Sequence, residues 1–184
     1  MKYAKASIVA LTIALASSAH AADALDPTRV RFGINLGIGG PIAVGFSADA
    51  SLNNITQIAP GVGLGARLSA GYVASTLTVS AAPVATFRFD QGGVWLGPAV
   101  AFSAAPGGTA FGFGLTSGVE YDVNQQIMVY GGVYLGVVPS ISGQISAGVD
   151  IDFTSNLSGF FETRTTFSSV GTGFGLGAGV AFRF

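Results

Sequence analysis

Residues 173–184 read Gly-Phe-Gly-Leu-Gly-Ala-Gly-Val-Ala-Phe-Arg-Phe. Every even-numbered position in this stretch is apolar, and every odd-numbered position is small or charged. Side chains on a β-strand alternate between the two faces of a sheet. The stretch therefore predicts a strand with one apolar face and one thin, polar face.

The same alternation recurs along the chain from about residue 29. It predicts ten strands, at residues 29–39, 41–52, 59–72, 75–89, 94–104, 110–122, 126–138, 141–153, 157–167 and 173–184. Turn-forming residues separate several of them: Gly39-Gly40-Pro41, Asn53-Asn54, Asp90-Gln91-Gly92-Gly93, Pro106-Gly107-Gly108, Asn124-Gln125 and Ser155-Asn156. The alternation is weakest in 41–52 and 157–167, so eight strands is the alternative count.

The charged residues give a check on this pattern. When each strand is set in phase by its large apolar residues, the charges within strands all fall on the opposite face: Arg29, Arg31, Asp49, Arg67, Arg88, Glu120, Asp122, Asp150, Asp152, Glu162, Arg164 and Arg183. Trp95, Tyr130 and Tyr134 fall on that polar face too. The arginines and carboxylates in this set are equal in number, so the face should carry no strong net charge.

The composition indicates which face of the strands lies outside and which lies inside. Charged residues make up 9% of the chain, compared with about 25% in ordinary soluble domains. The polar face is mostly Gly, Ser, Thr and Ala, which suits a narrow interior better than an open surface. Strands cross a bilayer only as a closed barrel, with apolar residues outside. The prediction is an all-β, closed, antiparallel up-and-down transmembrane β-barrel, with a soluble β-sandwich as the alternative.

Aromatic residues support the membrane interpretation. On the apolar face, they concentrate near the predicted strand ends, as the aromatic girdles of membrane barrels do: Tyr72, Phe87, Phe89, Phe102, Phe111, Tyr121, Phe167, Phe174, Phe182 and Phe184.

The first residues predict a signal peptide. Lys2 and Lys5 form a positive region, an apolar run follows at 8–16, and Ala19-His20-Ala21 is an A-x-A cleavage site. We therefore expect a signal peptide at 1–21 and a barrel domain at 22–184. The alternative, a short membrane anchor, is disfavoured because the apolar run is shorter than the ~20 residues that a spanning helix needs.

The residue inventory bounds the chemistry. The chain has no cysteine, and residues 22–184 contain neither lysine nor histidine. Ser-His-Asp, Cys-His and Ser-Lys arrangements are thereby excluded, as is a P-loop. We predict no catalytic residues, no metal, no cofactor, no nucleotide and no nucleic acid as partner. An enzyme using carboxylates alone remains the alternative.

The inward charges are the candidate site, a predicted lumen charged network. Its members are Arg31, Asp49, Arg67, Arg88, Glu120, Asp122, Asp150, Asp152, Glu162, Arg164 and Arg183. Charges held in a lumen favour pairing, because an unpaired buried charge costs several kcal/mol. A divalent cation site and an ion-selectivity ring are the alternatives. Glu162, Arg164 and Arg67 are expected at mid-depth, where they could form a constriction.

The chain ends Val180-Ala181-Phe182-Arg183-Phe184. This end resembles the C-terminal recognition strand of bacterial outer-membrane barrels, and the whole pattern resembles the small OmpA-like and opacity-type barrel families. The resemblance implies the outer membrane of a Gram-negative-type bacterium, contact with outer-membrane lipid, and insertion by the barrel assembly machinery through Val180, Phe182 and Phe184. The chain departs from those families, which usually have eight strands and long extracellular loops.

The function predicted from these features is a narrow pore or passive channel, since barrel width grows with strand number. A structural or anchoring barrel with a plugged lumen is the alternative. A surface adhesin is less favoured, because the longest candidate loops, near 105–109 and 168–172, are short and carry mostly small side chains.

Overall fold

The computed structural model describes residues 28–38, 42–138, 141–168 and 171–184. The predicted signal peptide lies outside these residues and stays a prediction. Ten strands account for most of the described chain: β1 (Thr28–Ile38), β2 (Ala43–Ala59), β3 (Val62–Val73), β4 (Thr76–Phe89), β5 (Gly92–Ala105), β6 (Gly108–Asp122), β7 (Ile127–Val138), β8 (Ser142–Asp152), β9 (Leu157–Ser168) and β10 (Gly171–Arg183). No helix within the described ranges has the length and apolar character needed to span a membrane.

The strands form one closed barrel. Each is antiparallel to the next along the chain, and β1 pairs with β10 from Arg29–Arg183 to Ile38–Phe174. Closure lets the first and last strands satisfy each other's backbone hydrogen-bonding groups, as a bilayer requires. The predicted up-and-down barrel of ten strands is confirmed, and the alternative of eight is wrong.

The barrel has two distinct ends. The described chain begins and finishes at one of them, called here the lower end, where turns at Pro60–Gly61, Asp90–Gln91, 123–126 and 153–156 also lie. The upper end carries turns at Ala74–Ser75 and Pro106–Gly107. Most predicted turns fall at these positions, although Gly92, Gly93 and Gly108 belong to strands. The predicted turn at Gly39-Gly40-Pro41 lies outside the described residues.

The predicted turn at Asn53-Asn54 is wrong. β2 continues to Ala59, and β3 begins at Val62 rather than at residue 59. Irregular pairing between Leu52 and Thr56, and again between Gln57 and Ala59, carries the strand through this polar stretch as β-bulges do. The chain reverses at Pro60–Gly61 instead, where Gly61 adopts a φ of 74° that glycine accommodates without strain.

The turn at Ala74–Ser75 carries no glycine or asparagine to indicate it. Both residues have positive φ, 48° and 65°, which is the geometry of the two-residue turn that suits twisted antiparallel strands. Pairing of Val73 with Thr76 fixes its length. The strands on either side therefore impose this backbone on residues that rarely adopt it.

The two faces of the wall differ as predicted. Large apolar side chains are exposed on the outside of every strand, and the ten aromatics expected on this face are all exposed there. They form a band at each end of the barrel. In water such an apolar surface would far exceed the few hundred Å² that soluble monomers expose, whereas hydrocarbon covers it at no cost. The outer surface is therefore a lipid face.

The interior is polar around a small apolar cluster. Trp95, Tyr130, Tyr134 and Phe160 point inward and are buried. The first three belong to a cluster with Ala82, Val84, Ala99 and Met128. These rings occupy the lumen between charged side chains, so the interior at this level is filled rather than open.

Candidate functional site in the barrel lumen

The lower part of the lumen is crossed by ion pairs between β1 and β8. Arg31 Nη2 donates to Asp150 Oδ2 at 2.9 Å, and Arg29 forms an ion pair with the same carboxylate. Arg29 Nη2 also donates to Ser158 Oγ of β9 at 3.1 Å. β1 and β8 are separated around the wall by β10 and β9, so these pairs bridge the interior rather than neighbouring strands. All three charged side chains are almost completely buried.

A second group of charges surrounds β9. Glu162 and Arg164 are two residues apart, share the inward face of that strand and form a buried ion pair. Asp49 of β2 interacts electrostatically with Arg164, Glu162 and Arg31. Arg31 thereby connects this group to the one below it.

Aromatic rings hold the guanidinium groups in place. Arg31 lies 4.4 Å from the ring centre of Tyr130 and 5.3 Å from that of Phe160. Arg67 lies 5.1 Å from the Trp95 ring and donates to Asn53 Oδ1 at 2.6 Å. Cation–π contacts gain strength when the cation is buried, and Arg31 and Arg67 are both buried. These guanidinium groups are therefore fixed by packing as well as by charge.

Arg67 also has a charged counterpart across the lumen. It interacts electrostatically with Glu120 of β6, three strands around the wall. Both side chains are buried. Arg67, Glu120 and the two groups above make up the charged layer, a term used below for Arg29, Arg31, Asp49, Arg67, Glu120, Asp150, Glu162 and Arg164.

The lower mouth is more open than the charged layer. Arg183 Nη1 pairs with Asp152 Oδ2 at 2.6 Å, and Arg88 and Asp122 are half-buried nearby on β4 and β6. A concave space of about 430 Å³ at this end is lined by Asp122, Asp152, Arg183 and the turn residues beside them. No group of three or more His, Cys, Asp or Glu in the described chain is placed to hold a metal ion.

Toward the upper end the lumen is neutral and rich in hydroxyl groups. Asn35 Nδ2 donates to Ser47 Oγ at 3.0 Å, and the hydroxyls of Ser69 and Ser80 lie 2.8 Å apart. Further inward hydroxyls on neighbouring strands are buried: Thr76, Thr78, Ser103, Thr116 and Thr166. Outside the apolar cluster the lumen is therefore polar, with neutral groups toward the upper end and paired charges below them.

The structure places members of the predicted network in direct pairs and in electrostatic interactions across the lumen. Direct side-chain pairs join Arg31 with Asp150, Arg183 with Asp152, and Glu162 with Arg164. Arg67 has its hydrogen bond to Asn53, a residue that the sequence placed in a turn. Ser158 and Gln144 were missed because they are uncharged, although strand alternation alone puts both on the inward face.

The three residues of the predicted assembly signal lie at the closure of the barrel. Val180 and Phe182 face lipid, and the Phe182 ring meets Phe32 of β1 edge to face at 6.4 Å. Phe184 follows β10 and is exposed, and its backbone N donates to Thr28 O at 3.1 Å.

Solved structures share the fold. The KdgM porin in complex with disordered oligogalacturonate aligns with a TM-score of 0.52 at 11% identity, covering 85% of this chain and 99% of that one. The KdgM porin alone aligns with a TM-score of 0.50 at 12% identity and the same coverage. A de novo designed transmembrane β-barrel gives 0.48 at 14% identity, covering 89% and 100%. No protein-family model matches the chain, and no curated protein matches it in sequence.

Proposed function

We propose that this protein is a non-enzymatic, narrow passive channel of the bacterial outer membrane, and that the charged layer is its constriction. The observation that carries the proposal is an interior that is polar outside one small apolar cluster, within a closed barrel that has a lipid face. A barrel that served only as an anchor could fill its interior with apolar side chains, which cost nothing to bury.

The charged layer sets how such a channel would behave. The pairs of Arg29 and Arg31 with Asp150 cross the lumen, the Glu162–Arg164 pair lies along β9, and all of these side chains are buried. A solute therefore has to displace these side chains or move through the narrow space beside them. We expect the currents to be small for this reason. Because the arginines and carboxylates within strands are equal in number, neither ion sign is strongly preferred.

The outer-membrane location and assembly route belong to the same proposal. The lipid face, the predicted signal peptide at 1–21 and the likeness to porin structures support the location. We further propose that Val180, Phe182 and Phe184 are read by the barrel assembly machinery. Membership of the OmpA-like or opacity-type families stays a prediction, and the ten strands differ from the eight usual there.

Replacing Glu162 and Arg164 together with Ala should raise single-channel conductance in planar lipid bilayers. The double change removes both members of a buried pair, so it leaves neither of them as an uncompensated charge. The matched control replaces Thr163 and Thr165, which lie on the lipid face of the same strand, with Ala.

Equal conductance in the wild type and the folded Glu162→Ala, Arg164→Ala variant would remove this pair from the constriction. No current from either protein would favour the second candidate, a closed structural barrel. The burial of the lumen charges is the observation on which that candidate rests.

A further inference from the structure

Two prolines face each other in the wall of the barrel. Pro83 of β4 and Pro98 of β5 lie directly opposite each other in the register that joins Ala85 with Leu96. Each proline is near the middle of its strand, and both are exposed on the lipid face. Proline in a sheet is normally confined to edge strands, strand starts and bulges. A facing pair at mid-depth in a closed barrel is therefore a local exception, of the kind that often marks a functional position.

The pairing of β4 with β5 is interrupted at these prolines. Pairs are present up to Ala81–Val100 and again from Ala85–Leu96, but not at the three positions between them. The register is the same on both sides of the gap, so no bulge accounts for it. The neighbouring ladders, β3 with β4 and β5 with β6, are continuous. Proline has no N–H, so neither proline can donate to the carbonyl oxygen of the other, and two hydrogen bonds of the ladder are missing.

The seam is the name used here for residues 82–84 of β4 and 97–99 of β5, which lie in this gap. The gap spans about 13 Å of strand, at roughly 3.3 Å per residue. In hydrocarbon no water can replace a lost donor, so a carbonyl oxygen without one raises the free energy of the closed wall. Packing holds the strands together here, since a Cβ atom at Gly97 would collide with the carbonyl oxygen of Pro83.

Apolar side chains cover the lumen side of the seam. Ala82, Val84 and Ala99 point inward and are buried, and they belong to the same apolar cluster as Trp95. The two prolines cover the side that faces lipid. The wall is therefore apolar on both faces at the level where the ladder between β4 and β5 is interrupted.

We propose that the seam opens laterally and lets hydrocarbon chains of the bilayer reach the apolar cluster in the lumen. Opening here breaks fewer backbone hydrogen bonds than opening a continuous ladder of the same length, and local opening follows the weakest contacts. The occupant is apolar because a polar group would have to lose its hydration on the lipid side. Lipid reaches the seam from outside the barrel, so the inference does not depend on the proposed channel.

Trp95 is a built-in reporter of this opening. It is the only tryptophan in the chain, it is 1% exposed, and it lies on the inward face of β5 two residues from Gly97. Bromine atoms quench indole fluorescence only at short range. In vesicles of phosphatidylcholine that is brominated at mid-chain, the quenching of Trp95 therefore measures how closely lipid chains approach the apolar cluster.

A disulfide across the seam should hold it closed. The chain has no cysteine, so Ala82→Cys with Ala99→Cys introduces one pair, at positions that the register places opposite each other, within the reach of a disulfide. The matched control is Ser69→Cys with Ser80→Cys, which joins β4 to β3 across a continuous ladder. The hydroxyl oxygens of those two serines lie 2.8 Å apart.

A second variant restores the missing donors. Pro83→Ala with Pro98→Ala gives each strand an N–H opposite the carbonyl oxygen of the other, so the ladder can become continuous. Its control is Pro106→Ala in the upper turn, away from the seam. The proline variant also decides the test if the seam disulfide prevents folding, as the mobility of the protein on boiling would reveal.

Brominated lipid should quench Trp95 more strongly in the wild type than in either seam variant. The seam disulfide should remove this additional quenching, reduction should restore it, and the Ser69→Cys, Ser80→Cys control should keep it. The Pro83→Ala, Pro98→Ala variant should lose it, whereas Pro106→Ala should not. Equal quenching in the wild type and in both folded seam variants would overturn the inference and leave the proposed channel unaffected.

Discussion

Trp95 fits inside the barrel because residue 118 has no side chain. A Cβ atom at Gly118 would lie 2.6 Å from Cζ2 of the indole and 2.8 Å from the carbonyl oxygen of Gly131. Neither neighbour can move freely, since one is a buried rigid ring and the other is backbone. Glycine at this position therefore leaves room for the Trp95 ring. The same ring contacts the guanidinium of Arg67, so Gly118 also supports the position of that group.

Gly118→Ala should lower the free energy of unfolding by about 1–3 kcal/mol, the usual cost of forcing extra volume into a filled interior. Gly131→Ala is the matched control, because its Cβ would meet the nearest atom, Ser146 O, at an ordinary 3.6 Å. Urea unfolding in lipid vesicles measures both. Equal stability of the two variants would show that Trp95 can shift without cost.

At the residue scale, alternation alone predicted which side chains face inward. It could not predict their partners, because Arg31 and Asp150 are 119 residues apart and meet only through barrel closure. Nor did it single out Gln144, since a neutral amide gives no charge signal. Whether a side chain points into the lumen depends on its own strand, whereas the partner that it meets there depends on the three-dimensional arrangement of the strands.

At the element scale, strand positions follow from pattern and turn chemistry wherever the two agree. They disagree at β2, where Asn53 and Asn54 favour a turn but bulged pairing with β3 carries the strand to Ala59. The extension brings Asn53 within hydrogen-bonding reach of Arg67. A bulge depends on the neighbouring strand, so the sequence of β2 alone does not reveal it.

The end of β10 carries a prediction about assembly. Phe184→Ser should sharply reduce the amount of protein inserted in the outer membrane of cells while leaving folding into detergent unchanged, because the side chain is exposed and follows the last strand. Phe89→Ser, on the lipid face at the same end, is the control. The measurement is the quantity of protein in the membrane fraction whose mobility shifts on boiling. Equal amounts in both variants would remove Phe184 from the assembly signal.

At the scale of the whole molecule, one repeated pattern of period two accounts for the closed barrel, its lipid face and its polar interior. The charges divide around the wall: arginines concentrate on β1, β3, β4 and β10, whereas β6 and β8 carry carboxylates only. Closure of the barrel places the arginine-bearing strand β1 across the lumen from the carboxylate-bearing strand β8, so that Arg29 and Arg31 can pair with Asp150. The sequence predicted the charge balance, but the width of the lumen depends on how the buried rings pack.

The channel is tested most directly by recording currents from the wild-type barrel in a planar lipid bilayer under a salt gradient. The protein should first show the mobility shift on boiling that marks a folded barrel. We predict small, discrete current steps with a reversal potential near zero, because the charges of the lumen balance. Folded protein that yields no steps would contradict the channel, and a strongly ion-selective reversal potential would contradict the charge-balanced constriction.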